Sequence, residues 1–305
     1  MIIKIKKKES LFALFLILII ISIFYVCYKN HNNIKKYPWY YQKMNIEKIW
    51  KYSRGNNQVI AIIDTGISNK LENSIKKKIV YKYNVLDNDN DVSDKHGHGT
   101  EMASIISGVS SENIYGISPE AKLIIIKAVS DDGKTDNEYL LKALEISEEQ
   151  SATVVNISLG GFKRDELVSK KIKEMSDNNI TVVAAAGDYG NKDLLFPAVE
   201  RDVISVAACD NNMNVCDFSN RSEECIAMMP GDSIEAINFD ENRQIVKDCY
   251  SGTSEACAIT SGYIALMKGY YSSKKNVLDN ADISKILKDI KRNKYTFLYP
   301  FSKND

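Results

Sequence analysis

The sequence predicts an α/β protein with a doubly wound, mostly parallel sheet and helices on both faces, preceded by one N-terminal transmembrane helix. Continuous apolar runs of strand length alternate with patterns in which apolar residues recur at three and four residues, which is typical of βαβ units. Several runs end in glycine turns, at the edge where such sheets hold their ligands. The transmembrane helix is indicated by an uncharged apolar stretch near the amino terminus.

The first element is the apolar stretch at residues 11–28, which follows four lysines in residues 1–10. As a helix it would be about 27 Å long, close to the roughly 30 Å of a bilayer's hydrocarbon core. No small-x-small cleavage triplet follows, which favours a retained anchor over a cleaved signal peptide. We therefore expect a basic cytoplasmic region at 1–10, an anchor at 11–28 and a tether at 29–44. The protein would be a single-pass protein of the cell membrane, with the rest of the chain outside the cell.

The remaining elements follow in alternation from residue 45 onward. Without an internal repeat or a low-complexity linker, residues 45–305 are predicted to form one domain. Strands are predicted at 58–66, 122–129, 153–161, 181–190 and 202–209. Helices are predicted at 136–150, 164–178, 253–270 and 281–292.

Composition excludes several classes of function. The 305 residues contain 40 Lys+Arg and 40 Asp+Glu, and this balance argues against a nucleic-acid partner. Three histidines and the absence of a C-x-x-C pair argue against a zinc enzyme. We therefore expect that no cofactor is required.

Three short patterns hold residues suited to catalysis: Asp64 in IIDTGIS, His98 in HGHGTEMAS and Ser254 in SGTSEACA. A serine oxygen becomes a good nucleophile when an imidazole takes its proton, and a carboxylate orients that imidazole. Taken singly, each residue also fits a structural role, as a strand-end cap, a helix-start cap or an N-cap. The three together predict a catalytic triad.

Five segments in sequence order resemble the motifs of the subtilisin-like serine proteases (subtilases, peptidase family S8), from about residue 40 to about residue 270. IIDTGIS resembles the Asp motif, GHGTEMAS the His motif and SGTSEACA the Ser motif. VNISLGG and VVAAAGDYG resemble the substrate-binding and oxyanion segments. The resemblance implies the subtilisin-like fold for residues 45–305 and the activity of a serine-type endopeptidase.

The resemblance also implies roles for individual residues. Ser254 would attack the peptide carbonyl, His98 would act as base and then acid, and Asp64 would hold the imidazole. The oxyanion would lie at the backbone N–H of Ser254 and at position 188. The substrate would bind as an extended strand along Ser158, Leu159 and Gly160, above a primary pocket whose floor is formed by Ala185, Ala186 and Gly187.

Four residues depart from the family pattern, and one of them is Ala258, which stands where the family usually has Pro. Asp188 stands where an Asn usually donates a hydrogen bond to the oxyanion, and an ionised carboxylate cannot donate. We expect a slower enzyme, and one whose activity relative to an Asp188→Asn variant is favoured at mildly acidic pH if a protonated Asp188 donates. Glu101 replaces a His, and Glu255 follows the nucleophile. Glu255 would either raise the pKa of His98 or favour basic substrate residues, or it is a solvated carboxylate at a helix start.

Two further groups of residues leave alternatives open. Asp87, Asp89 and Asp91 in loop 85–94 could supply oxygen ligands for a structural Ca²⁺, or form an acidic solvated turn. Cysteines 209, 216, 225 and 249 allow three disulfide pairings outside the cell. Cys257 is expected to be a small buried core residue.

The combined expectation is a membrane-anchored serine endopeptidase that acts as a monomer on peptide or protein substrates, with the processing of secreted peptides as a candidate role. The short stretch before the first motif leads us to expect folding without a propeptide, or with help in trans. The alternative is a weak or inactive subtilisin-fold protein that binds extended peptides.

Overall fold

The structure is a computed structural model that describes residues 37–240, 242, 244–292 and 297–302. The predicted cytoplasmic region at 1–10 and the predicted anchor at 11–28 lie outside these residues. Among the helices that are described, none combines the length and apolar character needed to cross a membrane.

The described helices are α1 Trp39–Met44, α2 Ile46–Ile49, α3 Asn69–Ile75, α4 His98–Ser107, α5 Asn137–Glu149, α6 Glu166–Asp177, α7 Thr253–Ser273, α8 Asn280–Arg292 and α9 Tyr299–Ser302. A 3₁₀ turn occurs at Ser110–Glu112. The described strands are β1 Val59–Asp64, β2 Ile79–Asn84, β3 Gly108–Val109, β4 Ile114–Tyr115, β5 Lys122–Lys127, β6 Val154–Ile157, β7 Thr181–Ala185, β8 Val203–Cys209, β9 Ala227–Pro230, β10 Ile234–Phe239 and β11 Ile245–Tyr250.

The main sheet has seven strands in the order β2-β5-β1-β6-β7-β8-β9, and every neighbouring pair is parallel. The predicted strands correspond to β1, β5, β6, β7 and β8, so the predicted parallel α/β sheet is confirmed. β6 and β7 end earlier than predicted, at Ile157 and Ala185. The glycine-rich residues that follow them therefore leave the sheet at its carboxyl edge.

Helices cover both faces of this sheet, as predicted. On one face, Ala61 and Ile63 of β1 belong to the same buried cluster as Leu144 of α5 and Ile172 of α6. On the other face, α4 and α7 pack against each other and against β1, and α7 also crosses β6 to β9. The predicted helices correspond to α5, α6, α7 and α8. The capping carboxylates of Asp136 and Asp165 begin α5 and α6.

Several parts of the structure were not predicted, among them the two edge strands of the main sheet, β2 and β9, and helix α3. Helix α1 lies inside the segment predicted as a tether, and the side chains of Tyr40, Tyr41 and Met44 in this helix are buried. Strands β10 and β11 form an antiparallel hairpin, and β10 packs against α4. This hairpin therefore forms one wall beside the helix that begins at His98.

The cysteines at 209, 216, 225, 249 and 257 are free thiols in the structure. None of the three pairings that the sequence allows is formed among them. Cys249 is exposed, whereas the other four are buried. Cys257 is fully buried on α7, which confirms its prediction as a core residue.

Candidate active site

The chain places its three candidate catalytic residues at the ends of secondary-structure elements. Asp64 is the last residue of β1, His98 is the first residue of α4, and Ser254 is the second residue of α7. The two helices, α4 and α7, pack on the same face of the sheet, and both contact β1. The three residues therefore come from separate parts of the sequence to the carboxyl edge of one sheet.

Asp64 and His98 form a direct pair. The Nδ1 atom of His98 lies 2.8 Å from Oδ1 and 2.9 Å from Oδ2 of Asp64. The carboxylate is almost completely buried, and its Oδ1 also accepts the backbone N–H of Thr65 at 2.7 Å. With Nδ1 held by the carboxylate, Nε2 is the nitrogen left to accept a proton from another group.

The start of α4, which carries His98, is held by Asp94 and Thr65. Oδ1 of Asp94 accepts the N–H groups of His96 and Gly97, and Oδ2 accepts both the N–H and the hydroxyl of Thr100. The hydroxyl of Thr65 accepts the N–H of Gly99 at 2.9 Å. Sequence reasoning missed Asp94, although an acidic residue just before a helix start is a recognisable N-terminal signal.

Gly97, directly before His98, has a φ of +107°, a conformation that favours glycine. A β-carbon there would lie 1.8 Å from Oδ1 of Asn238 on β10. The turn into α4 therefore needs glycine both for its backbone and for the close approach of the β10–β11 hairpin.

The charges around His98 favour its protonated form. Burial by itself would lower the pKa of the imidazole. The charge and hydrogen bond of Asp64, together with the charges of Glu101 and Glu255, outweigh burial and raise this pKa well above 6.5. The imidazole is therefore a stronger base than an ordinary histidine, and it must lose its proton before it can accept one from a nucleophile.

Ser254 is hydrogen-bonded to Ser158, the first residue after strand β6. Its hydroxyl donates to the carbonyl of Ser158 at 3.2 Å, and the hydroxyl of Ser158 donates to the carbonyl of Ser254 at 3.1 Å. Of the hydrogen bonds between described residues, none joins the Ser254 hydroxyl to His98. The structure thus brings Asp64 and His98 into contact and holds Ser254 on the neighbouring segment.

Asp188 accepts a hydrogen bond at the start of α7. Its Oδ1 receives the backbone N–H of Thr253 at 2.8 Å, and the hydroxyl of Thr253 receives the N–H of Gly187 at 3.1 Å. The carboxylate therefore serves as an acceptor at a helix N-terminus, where negative charge is favourable. This contact ties the segment after β7 to the residue immediately before Ser254.

The predicted pocket residues lie on two facing segments. Ser158, Leu159 and Gly160 follow β6, whereas Ala185, Ala186 and Gly187 end and follow β7. Sequence reasoning missed Leu195, whose side chain lies between the two segments and is 8% exposed. A β-carbon on Gly160 would lie 2.8 Å from Cβ of Leu195, and one on Gly187 would lie 2.7 Å from its Cγ. Leu195 therefore occupies the space between the two glycines.

Asn220 holds the segment that contains Asp188. Its Nδ2 donates to the carbonyls of Ala186 and Asp193 at 3.3 and 2.7 Å, and its Oδ1 accepts the N–H of Tyr189 at 3.0 Å. Its backbone N–H also donates to the carbonyl of Gly187. One buried amide thus fixes the chain on both sides of Asp188. Nothing local in the sequence around Asn220 pointed to this role.

The two glutamates that depart from the family pattern are both buried. Glu101 on α4 is 3% exposed and Glu255 on α7 is 5% exposed. The interpretation of Glu255 as a solvated helix-start carboxylate is therefore wrong, because the packing of α4 against α7 covers it. Its charge instead helps to raise the pKa of His98, which agrees with the other interpretation.

The acidic loop 85–94 forms a network of local hydrogen bonds. Asp87 accepts the amide of Asn84 at 2.9 Å, and Asp91 accepts the backbone N–H and the hydroxyl of Ser93. Within the described part of the chain, no three acidic, histidine or cysteine side chains are grouped so that they could hold a metal. Asp87, Asp89 and Asp91 thus serve as acceptors within the loop or lie exposed, and they are not grouped around one point.

The buried side chain of Lys127 lies between the turn after Asp64 and the acidic loop 85–94. The Nζ atom of Lys127 donates to the carbonyls of Thr65 and Ser93 at 2.8 and 3.1 Å, and to Oδ1 of Asp131 at 2.6 Å. The side chain is 7% exposed. Lys127 therefore connects the turn after Asp64 to the acidic loop.

Comparison with known proteins identifies relatives of this chain. The model of the subtilase family matches residues 55–297. The major intracellular serine protease of Bacillus subtilis (strain 168) is 29% identical over 258 residues, which cover 81% of this chain and 79% of that protein. Thermitase of Thermoactinomyces vulgaris is 27% identical over 238 residues, which cover 77% of this chain and 84% of that protein.

Proposed function

Because this chain belongs to the subtilase family of serine proteases, we propose that Asp64, His98 and Ser254 are its catalytic triad. The observation that carries this proposal is the hydrogen-bonded pair of Asp64 and His98 at the sheet edge where α7 presents Ser254. The enzyme would be a membrane-anchored endopeptidase that cleaves peptide or protein substrates as a monomer.

The reaction would proceed through an acyl-enzyme. The Ser254 oxygen bonds to the carbonyl carbon of the scissile peptide while Nε2 of His98 takes the hydroxyl proton. The carbon–nitrogen bond then breaks as His98 passes this proton to the leaving amine. Water, deprotonated by His98, attacks the acyl carbon; the bond from this carbon to the Ser254 oxygen breaks, His98 returns the proton to that oxygen, and the acid product leaves. The Ser254 hydroxyl must first turn from the carbonyl of Ser158 towards His98.

The oxyanion would rest mainly on the backbone N–H of Ser254. This group lies in the first turn of α7, where N–H groups have no acceptor within the helix. Asp188 already accepts the N–H of Thr253 and, while ionised, offers no donor. The loss of one oxyanion donor costs about 100- to 1,000-fold in rate, so we propose a slow protease.

The substrate would pair with the backbone of Ser158 to Gly160. The next residue, Gly161, is already paired with Phe196 through two backbone hydrogen bonds of 2.8 Å each. Because Leu195 fills the space between Gly160 and Gly187, only a small side chain would fit before the scissile bond. The substrate class proposed here is therefore an extended peptide with Gly, Ala or Ser at that position.

A second pocket would accept another side chain of the substrate. A cavity of about 400 Å³ lies beside the same segment, lined on one wall by Leu159, Gly160 and Phe162, and on the other by Leu140 of α5 and Thr135. In an extended peptide alternate side chains point to the same side. This cavity therefore suits a residue further from the scissile bond.

The cellular setting proposed for the enzyme rests on the sequence. The uncharged stretch 11–28 behind the lysines of residues 1–10 supports an anchor in the cell membrane with the catalytic part outside the cell. A tethered protease with a narrow pocket suits the trimming of secreted peptides. Accessibility of residues beyond 37 to added protease in intact and opened cells tests this orientation.

The alternative function is that of a peptide-binding protein without turnover. It is favoured by the Ser254 hydroxyl, which donates to Ser158, and by the acceptor at position 188. Both functions use the same extended groove, so binding of a peptide does not separate them.

A fluorophosphonate probe separates the two functions. The full-length chain in mild detergent is incubated with the probe, with Ser254→Ala as the matched control, and turnover of a peptide with Ala before the scissile bond is measured in parallel. Labelling and turnover that require Ser254 support the protease. A folded protein that binds the peptide but is neither labelled nor active would refute it in favour of the binder.

A further inference from the structure

Glu101 and Glu255 approach each other from two different helices. Glu101 is the fourth residue of α4, three residues after His98, and Glu255 is the third residue of α7, directly after Ser254. The two helices pack together, and the two carboxyl groups lie against each other. Both side chains are more than nine-tenths buried.

The hydrogen-bond donors around these carboxyl groups are too few. Oε2 of Glu101 accepts the amide of Asn238 on β10 at 2.9 Å. Oε1 of Glu101 and Oε2 of Glu255 are both inaccessible to solvent, and no donor from the described residues reaches them. A buried acceptor without a donor is costly, and two of them in one contact need an explanation.

A proton held between the carboxyl groups would supply the missing donor. Two ionised carboxylates in contact and away from water repel each other strongly, so one of them binds a proton. Burial, followed by the contact with Glu255, raises the pKa of Glu101 to about 9. Because the two carboxyl groups are in contact, a proton on one of them donates a hydrogen bond to the other.

Other charged or titratable side chains face the Glu101–Glu255 pair from the elements packed around it. His98 from α4 carries the positive charge that favours an anion here, and it is bound in turn to Asp64 from β1. Tyr250 from β11 faces Glu101, and its pKa is raised to about 12 by burial and by nearby negative charge, so it stays neutral. Asp188 also lies close to Glu255, since a β-carbon on Gly252 would lie 2.5 Å from Oε2 of Glu255 and 3.3 Å from Oδ2 of Asp188.

We propose that Glu101 and Glu255 share one proton and act as a single negative charge that positions His98 in its charged form. They are positioning residues: they act through His98 and have no contact with the reacting atoms. The consequence for catalysis rests on the proposed function, because it requires His98 to be the general base. The charge state of the pair does not depend on catalysis.

The test measures the titration of His98 directly. Full-length protein with Ser254→Ala, labelled with ¹³C at histidine, is titrated by NMR, and the His98 signal is assigned by its loss in His98→Gln. The same titration is run with Glu101→Gln, with Glu255→Gln, with both together, and with Glu149→Gln on the exposed end of α5 as a control.

The shared proton predicts a strongly non-additive result. Either single change leaves one carboxylate that accepts a hydrogen bond from the new amide, so the net charge stays at −1 and the midpoint of His98 moves little. The double variant removes the charge, and the midpoint falls by about one pH unit or more. Equal downward shifts of the His98 midpoint in both single variants would mean that the two glutamates carry separate charges. No shift in the double variant would mean that neither glutamate carries a charge that acts on His98. Either result overturns the proposal.

Infrared spectroscopy gives a second readout that does not depend on His98. At neutral pH the Ser254→Ala protein should show a protonated carboxyl band that disappears in both single variants. Its persistence in either single variant contradicts sharing. Neither measurement involves turnover, so a protein that fails the fluorophosphonate test can still confirm the pair, and an active protease can still refute it.

Discussion

Asp64 holds His98 with both of its carboxylate oxygens, at 2.8 and 2.9 Å from Nδ1. The contact fixes the ring tautomer, because the nitrogen that faces the carboxylate must carry a proton. Asp64→Asn would keep the shape of the residue but present an amide that can stabilise the wrong tautomer. We expect kcat to fall about 10,000-fold with little change in KM. Steady-state kinetics measure this, and a loss below tenfold would contradict the orienting role.

The pH dependence of activity follows from the charges around His98. The imidazole must be neutral to accept the Ser254 proton, and its pKa is raised above 6.5. We therefore expect kcat/KM to increase with pH above that value. In Glu101→Gln/Glu255→Gln the rising limb should move to lower pH, because this variant lacks the negative charge that stabilises the imidazolium. Profiles of the two proteins that superimpose would argue against this account.

Replacement of Asp188 by Asn should restore an oxyanion donor. The amide oxygen can still accept the N–H of Thr253, while its NH₂ group becomes available to the oxyanion. We expect kcat to increase about 100-fold at neutral pH. Identical rates and pH profiles for both proteins would show that this side chain does not face the oxyanion.

Leu195→Ala should enlarge the primary pocket between Gly160 and Gly187. We expect the ratio of kcat/KM for a peptide with Phe before the scissile bond over one with Ala to rise at least about tenfold. The variant should also lose about 2 to 5 kcal/mol of stability, so its folding is checked by its denaturation midpoint. Leu167→Ala, on the exposed surface of α6, is the control. An unchanged ratio would place the pocket elsewhere.

Lys127→Met should destabilise the protein without touching the catalytic groups. The change leaves the carbonyls of Thr65 and Ser93 without their donor in a buried site. We expect the free energy of unfolding to fall by about 2 to 4 kcal/mol, measured with denaturant. Lys285→Met, on the exposed surface of α8, should change it by less than about 0.5 kcal/mol. Equal effects of both changes would mean that Lys127 does not hold the acidic loop.

Much of the fold could be predicted because strand burial is a local property. A parallel strand covered on both faces needs a continuous apolar run, and 58–66, 122–129 and 202–209 contain such runs around β1, β5 and β8. The hairpin β10–β11 was missed because its strands are only partly buried, as in Ile245–Tyr250. Helix α1 was missed because a short aromatic segment has no clear helical period.

The sequence by itself determined the family, the parallel sheet and the identity of the three candidate catalytic residues, because each of these lies in a contiguous motif. The tertiary structure alone decided that Glu255 is buried against Glu101, that Leu195 lies against Gly160, and that Asp188 accepts a hydrogen bond at the start of α7. These contacts join residues between 35 and 154 positions apart. No local pattern records them, because they depend on how the helices and loops pack over the sheet.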